Sequence, residues 1–337
     1  MKKRVIRSIA LIILGIVQLF WLNINSSSTG NDNNSLPQGY LYYSDAYSIR
    51  KIPLNSLYET QRKKTVYDLT INTSHSKSAY SAIEKAISNG ANLLYPNISR
   101  QLNFISFVDD TGIIIKDILS SKTITHLYSP QNGSYTHPAF SNHTTSLAFL
   151  INTPHSNNLY DIGLIELPYI NPVIIASHLS LAAYPPSWSP DDKYLAITAA
   201  DSTIWIITPD GKKKWYVGKG FGAAWAPDGK RIICYRDKKS IIAYAYTTTF
   251  KATKPKLIYR SHNIIETFLP PVSDESGRYL FLHFSGYPLL SFFGIDNYEL
   301  GIDYYHLALV DLKNQTKKSL MGVSFPPWEG FAYYPAK

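Results

Sequence analysis

One pattern recurs along this chain and restricts its fold more than any other feature. Residues 185–197 read PPSWSPDDKYLAI, residues 223–233 read AAWAPDGKRII, and residues 270–281 read PPVSDESGRYLF as a degraded third copy. A repeat at this spacing indicates an architecture in which one short structural unit is used several times. The rest of the chain must therefore be interpreted as further copies of that unit or as insertions between them.

Each copy has the chemistry of a short strand, a tight turn and a longer strand. Proline presets φ at the turn, and Asp or Gly accepts the tight conformation that follows. The residues that carry this repeat are Trp188, Pro190, Asp191, Trp225, Pro227, Asp228 and Gly229. A third strand at 203–208 and a fourth at 214–217 complete a unit of four antiparallel strands. Such a unit is the blade of a β-propeller.

Weaker copies extend the repeat upstream. Taking Ile98, Phe140, Trp188, Trp225 and Val272 as equivalent positions gives spacings of 42, 48, 37 and 47 residues, which is a blade period. Residues 39–54 resemble second and third strands, and residues 325–328 resemble an unpaired first strand. Pairing the two ends would close the ring and remove two sheet edges. We predict an all-β, six-bladed propeller, with five or seven blades as alternatives.

The N-terminus has the organisation of an export signal. Lys2, Lys3, Arg4 and Arg7 precede an apolar run at 9–22 that contains only Gly15 and Gln18 as interruptions. A helix of this length is about 21 Å long and falls short of a hydrocarbon core of about 30 Å. Residues 1–25 are therefore a signal peptide or an uncleaved anchor helix, the latter spanning about 5–24. Both alternatives place the later residues outside the cytoplasm, in the periplasm or another extracytoplasmic space.

The remaining segments divide the chain into a stalk and a propeller with two insertions. Residues 26–38 are polar and lack apolar periodicity, which predicts a flexible stalk. The propeller occupies 39–337, with insertions near 60–92 and 284–305. Within the first insertion, residues 78–89 have a serine at the start and Gly90 after the end, which predicts a short helix.

Charge and cysteine content exclude some classes of function. The formal net charge is +9, but it includes the four N-terminal cations, and no arginine-rich or aromatic-basic run marks a nucleic-acid groove. The mild excess of positive charge over the rest of the chain is compatible with anionic partners. The single cysteine, Cys234, lies in an apolar strand and predicts a buried small hydrophobe.

The repeats at 188–196 and 225–232 resemble the WD40-like (PD40) propeller repeat of the TolB family, which also occurs in prolyl oligopeptidase-type peptidases. The resemblance is specific over about 184–282. It implies an exported envelope propeller that binds partner proteins at its mouth. Two departures limit it, because only a stalk precedes the propeller in place of TolB's α/β domain, and no G-x-S-x-G nucleophile turn of a peptidase domain is present.

The innermost strands predict a narrow, largely apolar channel with few candidate functional groups. Tyr135, His137 and Tyr184 are the predicted binding residues near its mouth. The nine histidines are dispersed without H-x-x-x-H or H-E-x-x-H spacing, so no zinc site, cofactor or catalytic residue is predicted. Asp191 and Asp192 are interpreted as turn formers.

These features favour a non-enzymatic envelope propeller that binds a protein partner as a scaffold. The partner could also be cell-wall glycan recognised by exposed tyrosines. A third alternative is a divergent metal-dependent lyase or hydrolase that uses His137. Contact with the membrane is expected through the N-terminal segment if it is not cleaved, and no contact with nucleic acid is expected.

Overall fold

The structure, a computed structural model, describes residues 36–44, 46–63, 85–99, 102–152, 160–245, 253–285, 305–323 and 330–335. These residues form six blades of antiparallel strands, and the prediction of a six-bladed propeller is confirmed. In each blade we name the strands A to D from the channel to the rim. The predicted signal or anchor segment, most of the stalk and residues 325–328 lie outside the described residues. In the part of the chain that the structure describes, no helix has the length and apolar character needed to cross a membrane.

The first three blades follow one another with a single long strand joining the first two. Blade 1 contains β24 (Phe331–Pro335), β1 (Gly39–Ser44), β2 (Ala46–Pro53) and the first part of β3 (Lys85–Ile98). Blade 2 contains the second part of β3, β4 (Phe104–Asp109), β5 (Gly112–Asp117) and β6 (Thr123–Tyr128). Blade 3 contains β7 (Ser134–Phe140), β8 (Ser146–Asn152), β9 (Tyr160–Glu166) and β10 (Tyr169–Leu181).

The last three blades contain the strongest copies of the repeat. Blade 4 contains β11 (Ser187–Trp188), β12 (Leu195–Thr198), β13 (Thr203–Ile207) and β14 (Lys214–Lys219). Blade 5 contains β15 (Phe221–Trp225), β16 (Arg231–Asp237), β17 (Ser240–Ala245) and β18 (Lys256–Arg260). Blade 6 has an A strand in two pieces, β19 (Ile265–Glu266) and β20 (Val272–Ser273), followed by β21 (Tyr279–Ser285), β22 (Tyr305–Asp311) and β23 (Thr316–Val323).

A repeated turn between strands A and B shows why the sequence pattern recurs. In blades 2 to 6 the backbone amide after the A strand donates to the carbonyl five residues later, at Ser99, Ser141, Ser189, Ala226 and Asp274. The residue before this amide is Trp225 in blade 5 and Ser273 in blade 6. Ser273 is therefore the equivalent of Trp225, and the predicted equivalence of Val272 is off by one residue. The turn proline of one blade lies beside the turn glycine of the next, since a methyl group added at Gly229 would be 3.7 Å from Pro190.

Trp188 and Asp192 of the repeat also join neighbouring blades. Trp188 is buried, and its indole Nε1 donates to the carbonyl of Ala139 in blade 3 at 2.9 Å. The carboxylate of Asp192 accepts the backbone amides of Asn142 and His143, each at 2.6 Å. Asp192 was predicted to be a turn former, and the structure adds that its carboxylate connects blades 3 and 4.

The hydrophobic core of the described residues is divided among the interfaces between blades. Six clusters of buried side chains each combine residues of two adjacent blades. Blades 1 and 2, for example, contribute Tyr42, Ile49 and Phe107 to one cluster. Because the B strands are apolar at nearly every central position, as at 147–151, each sheet can bury both of its faces.

Strands from the two ends of the chain close the ring within blade 1. β24 pairs antiparallel with β1, and Tyr334 lies opposite Tyr40. The prediction that the two ends share one blade is confirmed, but the closing strand is 331–335 instead of 325–328. Leu36 and Pro37, predicted as the end of the stalk, pack on the propeller, since Tyr58 Oη donates to the Pro37 carbonyl at 2.9 Å.

The first insertion differs from its prediction. The helix α1 covers Leu54–Lys63, where no helix was predicted. Residues 85–89, predicted as the end of a helix, instead belong to β3, because they complete blade 1 by pairing with β2. A short apolar pattern cannot by itself distinguish a helix from a strand. In the second insertion, 286–304 lie outside the described residues.

Candidate functional site

The candidate site is the central channel, a cavity of about 400 Å³ to which all six blades contribute. Its size lies in the range of roughly 300–1,000 Å³ that is usual for ligand sites. Prolines from five blades line it: Pro96, Pro138, Pro185, Pro186, Pro190, Pro227, Pro270 and Pro271. Because proline has no backbone N–H, these eight positions of the wall offer a carbonyl acceptor and no backbone donor.

A repeated β-bulge shapes the A strands that line this channel. The pairing of strands A and B shifts at the same place in three blades, between Leu94 and Asn97, between Thr136 and Ala139, and between Phe221 and Ala224. Inside each shift one residue has a left-handed backbone, with φ of 53° at Tyr95, 51° at His137 and 63° at Gly222. A bulge redirects the side chains of its strand.

Left-handed conformations are costly at the two positions that are not glycine. Tyr95 and His137 each carry a side chain at a φ that L-residues rarely adopt, at a cost of about 1–2 kcal/mol per residue. Backbone strain of this kind tends to be concentrated at functional sites. The two residues occupy equivalent positions in adjacent blades, and this observation marks them as the centre of the candidate site.

The rings of Tyr95 and His137 stack on each other in the channel wall. Their centroids are 3.8 Å apart and their planes are 25° from parallel. The Nδ1 atom of His137 is hydrogen-bonded to Thr136 Oγ1 at 3.0 Å. Burial lowers the pKa of His137 to about 3, so the imidazole is neutral near pH 7. A neutral ring suits stacking and hydrogen bonding better than attraction of an anion.

The other two predicted binding residues lie away from the described lining of this cavity. Tyr135 is 9% exposed and packs edge-on against Phe149, with ring centroids 4.9 Å apart. It belongs to the core between blades 2 and 3 because the bulge after it shifts the strand's alternation. Tyr184 is half-buried, and its hydroxyl is hydrogen-bonded to Thr267.

The structure adds Tyr95 to the site, which sequence reasoning missed. The available signal was its position three residues before Ile98, equivalent to that of His137 before Phe140. Two polar side chains in the wall already have partners in adjacent blades. Asn97 Oδ1 accepts the amide of Phe140, and Ser187 Oγ accepts the amide of Trp225, each at 2.9 Å. They are therefore less available to a ligand.

The titratable residues of the described chain are not grouped as a metal site. No cluster of three or more His, Cys, Asp or Glu side chains that could hold a metal ion occurs among these residues. Cys234 is buried in β16, and burial raises the pKa of its thiol to about 12. A thiol in this state is a packing group and a poor nucleophile.

Comparisons with known proteins relate the chain to solved propellers. No protein-family model and no curated protein sequence matches it. Its structure is similar to TolB from Acinetobacter baumannii, with a TM-score of 0.58 and 12% identity over 88% of this chain and 67% of that chain. A structure of a nidogen/laminin complex gives a TM-score of 0.56 and 11% identity over 87% of this chain and 97% of that chain.

A third similar structure is an enzyme. It is an oligogalacturonate lyase in complex with manganese, with a TM-score of 0.51 and 12% identity over 82% of this chain and 71% of that chain. At such identities the likeness concerns the fold alone. The protein therefore has a six-bladed propeller fold of the kind seen in TolB.

Proposed function

We propose that the protein is a non-enzymatic binding module of the cell envelope whose central channel holds an extended segment of a partner protein. The observation that carries this proposal is the channel wall, in which prolines of five blades meet aromatic groups that include the stacked Tyr95 and His137 rings. An extended peptide supplies unpaired N–H groups, which the wall carbonyls can accept. It also supplies apolar side chains for the Tyr95 and His137 rings.

The charge of the channel supports a peptide over an acidic glycan. No lysine or arginine is present among the described residues that line the cavity, and the lining includes the carboxylate Glu275. An acidic oligosaccharide would meet no compensating cation there, so its desolvation would be unfavourable. The envelope location rests on the basic and apolar segments at the N-terminus, which predict export.

Site-specific photocrosslinking of the full-length protein in its native envelope tests this proposal. A benzophenone amino acid replaces Tyr95 in the channel, and Tyr128 serves as the matched control because it is 68% exposed at the rim of the same blade. We expect protein adducts from position 95 and none of the same adducts from position 128. Val272, also in the channel wall, gives a second position in case a substitution at the left-handed Tyr95 impairs folding.

The outcome of this experiment decides between channel binding and other modes. Adducts with one protein from both channel positions support the proposal. Identical adducts from Tyr128, or none from either channel position, refute it. Recovery of glycan alone would instead favour the cell-wall alternative, in which tyrosines bind carbohydrate.

A polysaccharide lyase is the second candidate, since the oligogalacturonate lyase described above shares the fold and His137 lies in the channel. The described residues do not fit a manganese site, because the His137 ring contacts Tyr95 and Thr136 and no carboxylate. Incubation with oligogalacturonate and manganese, followed by ultraviolet absorbance of unsaturated products, tests this candidate. Product formation that is lost in His137→Ala would establish it and displace the binding proposal.

A further inference from the structure

The chain enters the propeller on one defined face. In an antiparallel blade the A–B and C–D turns lie at the same end, which we call the A–B face, and the B–C turns lie at the opposite end, the B–C face. Gly39 begins β1 opposite Pro335, the last residue of β24, so both chain ends of blade 1 lie at the A–B face. Leu36 packs there against the core cluster that contains Leu54. The described chain therefore begins at the A–B face.

The A–B face carries exposed lysines without an ion-pair partner among the described residues. Those in blades 4 to 6 are Lys213, Lys214, Lys230, Lys254, Lys256 and Lys313. They occupy the A–B or C–D turns or the strand residues next to them. Side chains of this kind are free to approach an anionic surface.

Four carboxylates of the same face are paired with cations. Asp191 pairs with Lys193 at 3.3 Å, Asp210 with Lys212 at 3.7 Å, and Asp228 with Arg231 at 2.7 Å. Asp311 likewise pairs with Arg278 at 2.6 Å. Glu166 in blade 3 is exposed and has no cation within ion-pair distance among the described residues, and Asp117, Asp192 and Glu275 also lie in turns of this face. The six exposed lysines outnumber these four carboxylates.

The B–C face has a different balance in the described part of the chain. Its turns carry Asp109 and Asp110 in blade 2 and Asp201 in blade 4. In blade 5, Asp237 is accompanied by Lys238 and Lys239. The ends of its D strands add the exposed Lys219 and Arg260, so cations and carboxylates are nearly balanced on this face.

The same face also presents apolar side chains to solvent. Tyr169 and Leu119 are 76% and 75% exposed, the highest values among the large apolar side chains of the described residues. They lie in the C–D hairpins of blades 3 and 2, which are neighbours, and Lys122 is exposed beside Leu119. Leu257, 42% exposed, adjoins Lys256 in blade 5. Apolar tips together with lysines are typical of surfaces that bind the interface of an anionic bilayer.

We infer that the A–B face lies against an anionic lipid bilayer, with the C–D hairpins of blades 2 and 3 at the headgroup level and the lysines of blades 4 to 6 facing the lipid phosphates. Each lysine near such a surface contributes about 1 kcal/mol, and tyrosine is favoured at the membrane interface. The 35 residues before Leu36 include the predicted membrane segment, which would hold the face near the lipid. The A–B turns also contribute Pro190, Pro227 and Glu275 to the channel cavity. Lipid on this face would cover that end of the channel, and a partner segment would have to enter from the B–C end.

Fluorescence quenching by nitroxide lipids tests this orientation with the full-length chain in nanodiscs. One variant, Leu119→Cys, places a fluorophore on the A–B face, and the matched control, Lys238→Cys, places it on the B–C face. The native Cys234 is fully buried and stays unlabelled in the folded protein. The discs contain phosphatidylcholine either alone or with added phosphatidylglycerol.

We expect quenching at position 119, but not at 238, in discs that contain phosphatidylglycerol. It should weaken as salt rises from about 0.1 M to about 1 M, since the Debye length falls from about 10 Å to about 3 Å. Replacing Lys213, Lys214 and Lys256 with glutamine should weaken the contact about 100-fold, whereas the same change at Lys238 and Lys239 should not. Equal quenching at both positions, none at 119, or quenching insensitive to phosphatidylglycerol and salt would overturn the inference.

Discussion

Lowering the pH from about 7.5 to about 5.5 is expected to remove a large part of the folding stability of this protein. Burial lowers the pKa of His137, His283 and His306 to about 3 each, and Lys317 adds to the effect at His306. The unfolded chain titrates near 6.5, so it binds protons in this range while the folded protein does not. Stability is therefore full above about pH 6.5 and falls continuously toward pH 3.

The size of this loss follows from linkage. Each histidine costs about 1.4 kcal/mol between pH 7.5 and 5.5, and the three together cost about 4 kcal/mol. The carboxylates of Asp191 and Asp311 have lowered pKa values, so their contributions are lost only at more acidic pH. The chosen window thus isolates the histidines.

Urea denaturation of the purified full-length protein at the two pH values measures the loss. His306→Phe keeps a ring against Phe284, whose centroid is 5.5 Å from that of His306, and should reduce the pH dependence by about one third. A total loss below about 1.4 kcal/mol, or an unaltered pH dependence in His306→Phe, would refute the reasoning.

Three further predictions concern stability and reactivity. Asp192→Gly should destabilise the protein by about 2 kcal/mol in urea denaturation, because loss of the bonds to the Asn142 turn outweighs relief of its φ of 57°; no destabilisation would contradict this role. Gly229→Ala should cost only about 1 kcal/mol by thermal denaturation, because φ is +65° while the added methyl finds ordinary contact with Pro190; a larger loss would mean a clash. Cys234 should react with maleimide only after unfolding, as followed by mass spectrometry, and rapid labelling of the native protein would show that β16 opens.

The blade architecture could be predicted because its determinants are local. The turn around Pro227, Asp228 and Gly229 specifies a tight A–B connection, and its spacing from the other copies specifies the blade period. Closure of the ring by the two chain ends could also be predicted, because the residues at each end resemble only part of a four-stranded blade. The helix α1 also had a local signal, since Leu54, Leu57 and Tyr58 share one buried face, but the sequence here was interpreted as the end of a strand.

The candidate site was harder to predict because it depends on strand register. A one-residue change of register reverses the faces of a strand, and the bulges in the A strands impose such changes. Gly222 could have indicated a left-handed residue, whereas Tyr95 and His137 gave no such indication because they are not glycines. The prolines of the channel were visible as residues, but which of them share a wall depends on how the six blades close.

The closure of blade 1 has a consequence for the order of folding. Blades 2 to 6 can each form from neighbouring hairpins, whereas β1 and β24 must meet across almost the entire chain. Bringing the ends of a loop of roughly 300 residues together costs about 5 kcal/mol of chain entropy. Blade 1 should therefore assemble last and separate first. A pulling force on the segment before Leu36 would act directly on β1, at this seam of the ring.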